Sequence, residues 1–533
     1  MDPFVLSILL CSSIFVVVYW RRLNSMRLRL PPGPPTWPIF GNLLQLSPLP
    51  HKDFAQFCTK YGPLVYLRLG TIDAITTDDP EVIREILIRQ DEVFASRPRT
   101  LAAVHLAYGC GDVALAPLGP NWKRMRRVCM EHLLTTRRLE SFAAHRAQEA
   151  EHLCQFVWAK SQSGKPVNLR EVLGAFSMNN VTRMLLGKQY FGIQSAGPGE
   201  AMEFMHITHE LFFLLGLIYL GDYLPAWRWV DPYGCEKRMR EVEKKVDDFH
   251  QKIIDEHRRA REARKSRSSV EEDGGNGKDE MDFVDVLLSL PGENGKEHMD
   301  DMEIKALMQD MIAAATDTSS VTNEWVMAEV IKNPRVLRRV QEELDAVVGR
   351  DRMVAESDLA HLPYLRCVVR ESFRMHPAGP FLIPHESLKA TTIMGYHVPA
   401  RTRVFINTHA LGRNPRVWDS RGRVPAGAAP AGGGGGAGGD QPPAGLQDPA
   451  VQRREAQVPR RAAGRGAGAH GARQALPLLR LVPARRPPPR GRGHPGGVRH
   501  DHAQGHAPRR RRHSAPAAAL VRRRRRQLGS LVR

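Results

Sequence analysis

The sequence has few cysteines, and no two of them have the close spacing that zinc sites and redox motifs use. Seven cysteines are scattered over the first 367 residues, and none follows. They are Cys11, Cys58, Cys110, Cys129, Cys154, Cys235 and Cys367. This distribution excludes a disulfide framework and a structural zinc site, and it fits a protein that faces a reducing compartment.

Most of the chain also has no net charge, because its basic and acidic residues are equal in number. Residues 1–420 contain 53 basic and 53 acidic residues, although the whole protein carries +20. The excess belongs to residues 421–533, where 24 arginines accompany only four acidic residues. The neutral body has no sign of a nucleic-acid surface. The tail would bind polyanions in a salt-dependent way but without recognition, so no nucleic-acid partner is predicted.

The tail lacks the residues that build a hydrophobic core. From Arg421 onward there is no Phe, Tyr, Trp, Ile, Met, Cys or Lys, and runs such as AGGGGGAGGD and VRRRRRQ occur. Such a composition does not bury enough apolar surface to offset the loss of chain entropy. Residues 421–533 are therefore predicted to be a disordered segment.

The N-terminus carries a long apolar run, from Phe4 to Trp20, which is about the minimum length for a membrane span. Two arginines follow the run and only Asp2 precedes it. This order of charges favours an uncleaved anchor over a signal peptide, with the body in the cytosol. Residues 1–22 are predicted to be the anchor, and the proline-rich residues 23–43 a stiff hinge.

Residues from about Asp300 to Asn333 have the apolar spacing of a buried helix, closed by Pro334. Its centre reads AAATDTSS, which places three alanines before an acid and several hydroxyl groups. Small residues beside an acid–alcohol pair suit a helix that lies against a flat ligand with a proton path. The alternative is a Ser/Thr cluster that bonds back to the helix carbonyls.

Helices dominate the remaining pattern, so a mainly α fold with small β-sheets is predicted. Helices are expected over residues 80–90, from Trp122, over most of 138–262, from Asp282 and between Pro334 and His376. Strands are expected over residues 64–70 and 72–77 and between 391 and 404. Residues 95–121 are predicted to be a loop over a pocket, and 265–280 a mobile linker. The apolar stretch 202–227 suits a pocket for a lipophilic ligand or contact with a bilayer.

These pieces, taken in order, resemble the cytochrome P-450 family of haem-thiolate monooxygenases. The resemblance rests on the anchor, the PPGPP hinge, WxxxR, AAxDTS, ExxR and the extended segment that ends in a basic residue, and it covers residues 1–420. GDYLPAWRWVD and HPAGPFLIPHES are similar to the plant microsomal branch. They are most like the in-chain hydroxylases of medium-chain fatty acids that serve pollen-wall formation.

The resemblance implies a role for each motif. Trp122, Arg126 and His385 would bind the haem propionates. Ala314 and Ala315 would face the haem and the oxygen, and Ala315 stands where the family usually has glycine. Asp317 and Thr318 would supply protons for dioxygen cleavage. Glu371 and Arg374 would pair with a segment further along the chain, in a structural role.

The chemistry implied is insertion of one oxygen atom into a C–H bond of a small lipophilic substrate, a medium-chain fatty acid in the first instance. Haem iron would be the cofactor, and an NADPH-cytochrome reductase would be the electron-donating partner. The anchor would hold residues 44–420, the catalytic domain, on the lipid of the endoplasmic reticulum membrane. Phenylpropanoids and terpenoids remain alternative substrates, because similar sites in sister families bind them.

The resemblance stops at Ser420, so the catalytic domain lacks its cysteine loop and the fold is in effect truncated there. No metal-ligating cysteine is present. When the tail is read in the frame shifted by one base, Arg421–Pro430 permits VDEFRPERHL and Leu446–Ala462 permits FKILPFSAGKRKCPGAP. The iron-binding cysteine then falls across the codons of Val458 and Pro459. The hypothesis is a frameshift between Ser420 and Gly422. The alternative to an active enzyme is that the chain as written is a catalytically dead product.

Overall fold

The computed structural model describes residues 29–418, except residues 165, 191–197, 232, 269–280 and 293–295. The predicted anchor and the arginine-rich tail lie outside these described residues. The α-helices, numbered along the chain, are α1 (Pro50–Tyr61), α2 (Pro80–Arg84), α3 (Leu101–Leu106), α4 (Pro120–Val128), α5 (Thr136–Ser141), α6 (Ala143–Gln162), α7 (Leu169–Leu186), α8 (Pro198–Leu215), α9 (Leu220–Tyr223), α10 (Cys235–Ser268), α11 (Phe283–Leu287), α12 (Asp301–Lys332), α13 (Pro334–Val347), α14 (Pro363–Met375) and α15 (Thr408–Leu411).

Helix α12 is the element on which the others pack, and its ends are determined by local chemistry. At its start, Asp300 and Glu303 form a reciprocal capping box with the first free backbone N–H groups. It ends at Lys332, and Asn333 is the C-cap directly before Pro334, because proline has no N–H and pushes the preceding residue out of the helical region. The helix predicted from about Asp300 to Asn333 is confirmed.

Helix α12 is buried between two hydrophobic clusters. The first half packs Ile304, Leu307 and Ile312 into a cluster that contains residues of α7 and α11. The second half packs Val326 and Val330 into a cluster formed with α13 and α14. Burying each such side chain contributes about 1.5–3 kcal/mol, so α12 is held along most of its length.

A four-stranded sheet joins the two ends of the described chain. The strands are β1 (Val65–Leu69), β2 (Ile72–Thr77), β3 (His385–Glu386) and β6 (Arg403–Ile406), in the order β1-β2-β6-β3. Strands β2 and β6 run parallel, and the other pairs are antiparallel. A separate hairpin pairs β4 (Thr391–Ile393) with β5 (Tyr396–Val398). A bridge between Ser96 and Glu386 brings the segment around residue 95 beside His385.

The strand predictions for residues 64–70 and 72–77 are confirmed, and three other boundaries are corrected. The predicted loop 95–121 contains α3, whose first turn is capped by the Thr100 hydroxyl, 3.1 Å from the backbone nitrogen of Ala103. Six residues are too few for helical periodicity to show. Helix α4 begins at Pro120 rather than Trp122, since proline suits a first helical turn. Helix α10 continues to Ser268, into the predicted linker, and residues 269–280 lie outside the described residues.

Among the described residues, the segment Glu203–Tyr223 is long and apolar enough to cross a membrane by length and composition. It is not one continuous helix, because α8 ends at Leu215 and α9 begins at Leu220. Leu211 and Leu214 are buried in a cluster with α3 and α10. One face of the segment therefore packs against the protein, while side chains such as Phe213 remain exposed on the other.

Candidate active site

Trp122 and Arg126 share one face of α4, as their spacing predicts. The Arg126 guanidinium lies 5.7 Å from the centre of the Trp122 ring, which is within cation–π distance. The indole Nε1 of Trp122 donates a hydrogen bond to the carbonyl oxygen of Val113, at 3.0 Å. Both side chains are half-buried. The pair forms a rigid platform that presents one positive charge.

The segment that positions Trp122 is itself held by two buried carboxyl groups. Asp310 of α12 accepts a hydrogen bond from the backbone N–H of Val113 at 2.6 Å, and Asp112 accepts one from Leu115 at 3.0 Å. Burial raises the pKa of both groups, and the pKa of Asp310 is raised further by Asp112. Two adjacent buried carboxylates do not both ionise readily, so the pair shares a proton near neutral pH.

His385 lies in β3 beside a half-buried cation that the sequence pattern missed, Arg97. The Nδ1–H of His385 donates to the carbonyl oxygen of Phe94 at 2.6 Å. Burial, followed by the charge of Arg97, lowers the pKa of His385 to about 3, so the imidazole is neutral. With Nδ1 as the donor, Nε2 carries a lone pair. His385 would have to gain a proton before it could donate from Nε2 to a carboxylate.

Arg97 carries the positive charge at this position instead. Its guanidinium donates to the carbonyl oxygens of Ile383 and Pro384, at 2.6 and 3.1 Å. Burial lowers its pKa to about 10, which still leaves it charged at neutral pH. A half-buried guanidinium bonded to neutral carbonyl oxygens favours an anionic ligand. Arg97 stands in an irregular segment, so no periodicity or motif marked it, and only the pairing of residue 96 with β3 brings it to His385.

Helix α12 presents its alanines on an open face. Ala314 and Thr318 are exposed, and Ala315 is half-buried. The Thr318 hydroxyl donates to the carbonyl oxygen of Ala314 at 2.6 Å, and the Thr316 hydroxyl donates to that of Ile312 at 2.7 Å. Both threonines therefore bond back to the helix, as the alternative reading of this stretch predicted. The same face still offers a shallow surface with one hydroxyl group.

Asp317 points away from the Thr318 side and meets α8. Its Oδ2 atom lies 3.4 Å from Nδ1 of His209. The Asp317 side chain is 23% exposed and that of His209 is 50% exposed, so the pair spans from the interior to the surface. The interaction with Asp317 raises the pKa of His209, while burial and the charge of Arg170 oppose this rise.

Glu371 and Arg374 form a buried ion pair in α14. The guanidinium Nε donates to Glu371 at 2.9 Å, and a second nitrogen of the same fork completes the two-pronged pair. Arg374 also donates to the carbonyl oxygen of Gly412 and lies 4.9 Å from the ring centre of Trp418. Arg374 therefore joins α14 to the last described segment, which lies further along the chain.

Several known proteins are similar to this chain in sequence or in fold. The chain matches the cytochrome P450 family over residues 31–420. It is 87% identical over 419 residues to a protein of Oryza sativa subsp. japonica named Cytochrome P450 703A2. The chain belongs to the cytochrome P450 family. The match covers 79% of both proteins, and the Arabidopsis thaliana protein of the same name is 71% identical, covering 78% of this chain and 80% of that protein.

More distant P450 relatives share the fold and differ in their named activity. Flavonoid 3'-monooxygenase of Petunia hybrida is 36% identical over 425 residues, covering 78% of this chain and 79% of its own length. A zebra fish cytochrome P450 structure with progesterone superposes with a TM-score of 0.58 at 26% identity, covering 71% of this chain and 82% of that chain. P450 enzymes are haem monooxygenases that take electrons from NADPH through a reductase, and this chain is classed with them.

The described residues fit part of a haem. Arg97 and Arg126 are cations suited to the two propionate groups, with Trp122 and His385 beside them. Helix α12 exposes Ala314 and leaves Ala315 half-buried, so this face carries only small side chains. The iron ligand is a different matter, because none of the described cysteines lies in surroundings that favour a thiolate. Burial raises the thiol pKa of all six, for example to about 12 at Cys129 and Cys154.

Cys367 is the cysteine nearest in sequence to the P450 ExxR motif, and its environment does not suit iron ligation. It lies on α14, one turn before Glu371, where burial raises its thiol pKa. Cations suited to propionate groups are thus present among the described residues, whereas a cysteine in surroundings that favour a thiolate is not. In the family the thiolate comes from a loop that would follow residue 420, beyond the end of the family match.

Proposed function

We propose that this protein, with its cysteine loop in frame, hydroxylates a medium-chain fatty acid with dioxygen and electrons from an NADPH reductase. The observation that carries the substrate class is one hydrophobic cluster. It joins α3, α8 and α10 with Leu101, Leu215 and Ala313 at its partly buried edge. Ala313 directly precedes the open alanine face of α12, so the apolar side chains of this cluster border the proposed haem position. A flexible hydrocarbon chain fits such a surface without polar partners.

The residue roles implied by the family pattern are part of the same proposal. Trp122, Arg126 and His385 would hold the propionates, and Arg97 joins them on the strength of its half-buried charge. Ala314 and Ala315 would lie against the ring. Asp317 and Thr318 would move protons, and the Glu371–Arg374 pair would hold the core of the domain to the segment that follows.

A flavonoid or other phenylpropanoid substrate is the second candidate, and the printed names of several relatives favour it. Proteins named as flavonoid hydroxylases are 34–36% identical to this chain over similar lengths. The rice and Arabidopsis proteins are far more similar, at 87% and 71%. A planar phenol needs hydrogen-bond partners at its hydroxyl groups, whereas a fatty chain does not. The two classes can therefore be separated by direct binding.

The frameshift and the membrane location belong to this proposal too. The family match ends at residue 420, where the sequence composition changes. A reading frame shifted by one base would permit VDEFRPERHL and the cysteine loop beyond that point. The apolar run before Arg21 would anchor the protein in the endoplasmic reticulum membrane. Sequencing of the transcript across the codons for Trp418 to Gly422 tests whether the frame is shifted in the gene.

The test of function compares two proteins expressed in parallel. One is the chain as written, and the other carries the shifted reading from residue 421. We expect the corrected protein to bind haem with thiolate ligation in its reduced carbon monoxide spectrum, and the written chain to lack that signature. Medium-chain fatty acids added to the corrected ferric protein should displace the water on iron and change its absorbance. If only flavonoids changed the absorbance, a flavonoid would become the first candidate substrate and a fatty acid the second.

A further inference from the structure

His209 of α8 stands between two cavities, and this position is not explained by packing. The inner cavity, of about 80 Å³, is lined by residues of α7, α8 and α12, among them Thr316 and Asp317. The outer cavity, of about 500 Å³, opens between α8 and α10. His209 lines both cavities. Its imidazole therefore separates the two cavities, with one edge toward Asp317 in the inner cavity and the other toward the outer cavity.

The inner cavity is polar enough to hold water. Besides Asp317 and His209, its lining includes the side chains of Arg170, Glu171, Thr208 and Ser320. A volume of about 80 Å³ has room for a few water molecules, each of which needs two or more polar partners. The 3.4 Å separation of Nδ1 and Oδ2 is at the long end for a direct hydrogen bond. Proton exchange between the two groups therefore has both a direct route and a water-mediated route.

The charges around His209 leave Asp317 as its main partner. Arg170, on α7, is 2.8 Å from Glu324 of α12 and acts on His209 only as an opposing charge. Glu210, next to His209, is bonded to Arg238 of α10 at 2.8 Å. Of the facing groups, Asp317 is the one that raises the pKa of His209. An imidazole with this partner exchanges protons in the physiological range, which carboxylates and guanidinium groups do not.

We propose that His209 passes protons from solvent to Asp317. It is therefore a positioning residue for the oxygenase reaction, since it acts through Asp317. The imidazolium Nδ1–H gives its proton to Oδ2 of Asp317, leaving a neutral imidazole and a neutral carboxylic acid. The imidazole then regains a proton from solvent hydronium through the outer cavity. The inference rests on the proposed proton-moving role of Asp317, and it adds the group that recharges this acid.

The first test measures the titration of His209 in the full-length chain. Histidine-selective hydrogen–deuterium exchange at the imidazole C2, read by mass spectrometry across pH 4 to 9, reports each histidine separately. We expect Asp317→Asn to move the His209 midpoint to lower pH. His206, one turn earlier on α8, is the internal control. Glu210→Gln is the matched control variant, because Glu210 is bonded to Arg238, and it should leave the His209 midpoint in place.

The second test asks whether the pair moves protons. In the frame-corrected enzyme, product formed per NADPH should fall as pH rises through the measured His209 midpoint. His209→Gln should flatten that profile at the low value and leave the substrate KM unchanged. An unchanged His209 midpoint in Asp317→Asn, or an unchanged pH profile in His209→Gln, would overturn the inference. Failure to hydroxylate fatty acids would count against the substrate proposal and would leave the titration to decide on His209.

Discussion

The buried pair Asp112 and Asp310 makes one substitution informative, Asp310→Asn. The asparagine keeps an oxygen that can accept from the N–H of Val113, which lies 2.6 Å from the present carboxylate. Its amide nitrogen can donate to Asp112 in place of the shared proton. The substitution therefore keeps the shape and the hydrogen bonds and removes one of the two titrating groups.

Asp112 gives the scale of the cost of burying one of these carboxyl groups, because burial raises its pKa from 3.8 to about 6. A raised pKa in the folded state means that stability is fully present below pH 3.8 and is lost as pH rises through about 6. Each pKa unit corresponds to about 1.4 kcal/mol, so ionising this group in the fold costs about 3 kcal/mol. Asp310→Asn removes the second group, whose pKa burial and the charge of Asp112 raise well above its usual value. The cost of keeping that group protonated at high pH disappears, so we expect a gain of about 1–3 kcal/mol of unfolding free energy at pH 8 and little at pH 4.

Urea unfolding of the full chain in detergent, followed by tryptophan fluorescence at pH 4, 6 and 8, measures this difference. Asp310→Ala is the control, because it leaves the Val113 N–H without an acceptor and should destabilise by about 1–3 kcal/mol. At each pH, the unfolding free energy of the parent is subtracted from that of Asp310→Asn, so that the contributions of other titrating groups cancel. A difference that is the same at pH 4 and pH 8, or an Asp310→Asn protein as unstable as Asp310→Ala at pH 8, would refute the shared-proton account.

Three further substitutions test the site and its support. Glu371→Ala leaves the buried charge of Arg374 without its partner and should cost about 3–5 kcal/mol of unfolding free energy in urea. Gly412→Ala would place a Cβ atom in steric conflict with the backbone carbonyl oxygen of Arg374, so we expect a loss of about 1–3 kcal/mol in the same assay. Arg97→Gln in the frame-corrected protein removes a half-buried cation and should weaken haem binding about 10- to 100-fold in an equilibrium titration, since a charge-assisted bond contributes about 1.5–3 kcal/mol.

Matched variants control each of these three. Asp345→Ala breaks an ion pair whose arginine, Arg350, is 83% exposed, and should change stability by less than about 1 kcal/mol. Gly119→Ala adds a Cβ whose nearest contact is 3.9 Å away, so it should be tolerated. Arg97→Lys keeps the charge and should retain most of the haem affinity. If a test variant behaves like its control, the corresponding role is wrong.

The long elements and the order of motifs were readable from the sequence, because each is a local property. Helix α12 showed its apolar period, its acidic start and the proline that stops it. Trp122 and Arg126 are one helical turn apart, so their shared face followed from spacing. The family resemblance rested on the same local patterns, and the end of the match at residue 420 agrees with the break in composition.

The tertiary structure decided the contacts between residues distant in the chain. Arg97 meets His385 only because the bridge between Ser96 and Glu386 brings these segments together. Asp310 and Asp112 share a site, and Asp317 faces His209, because α12 passes both the 107–119 segment and α8. Short helices such as α3 were missed, since six residues do not complete two turns. A one-dimensional pattern records how each segment packs against water or core, but the partner that each buried charge finds depends on how the segments fold together.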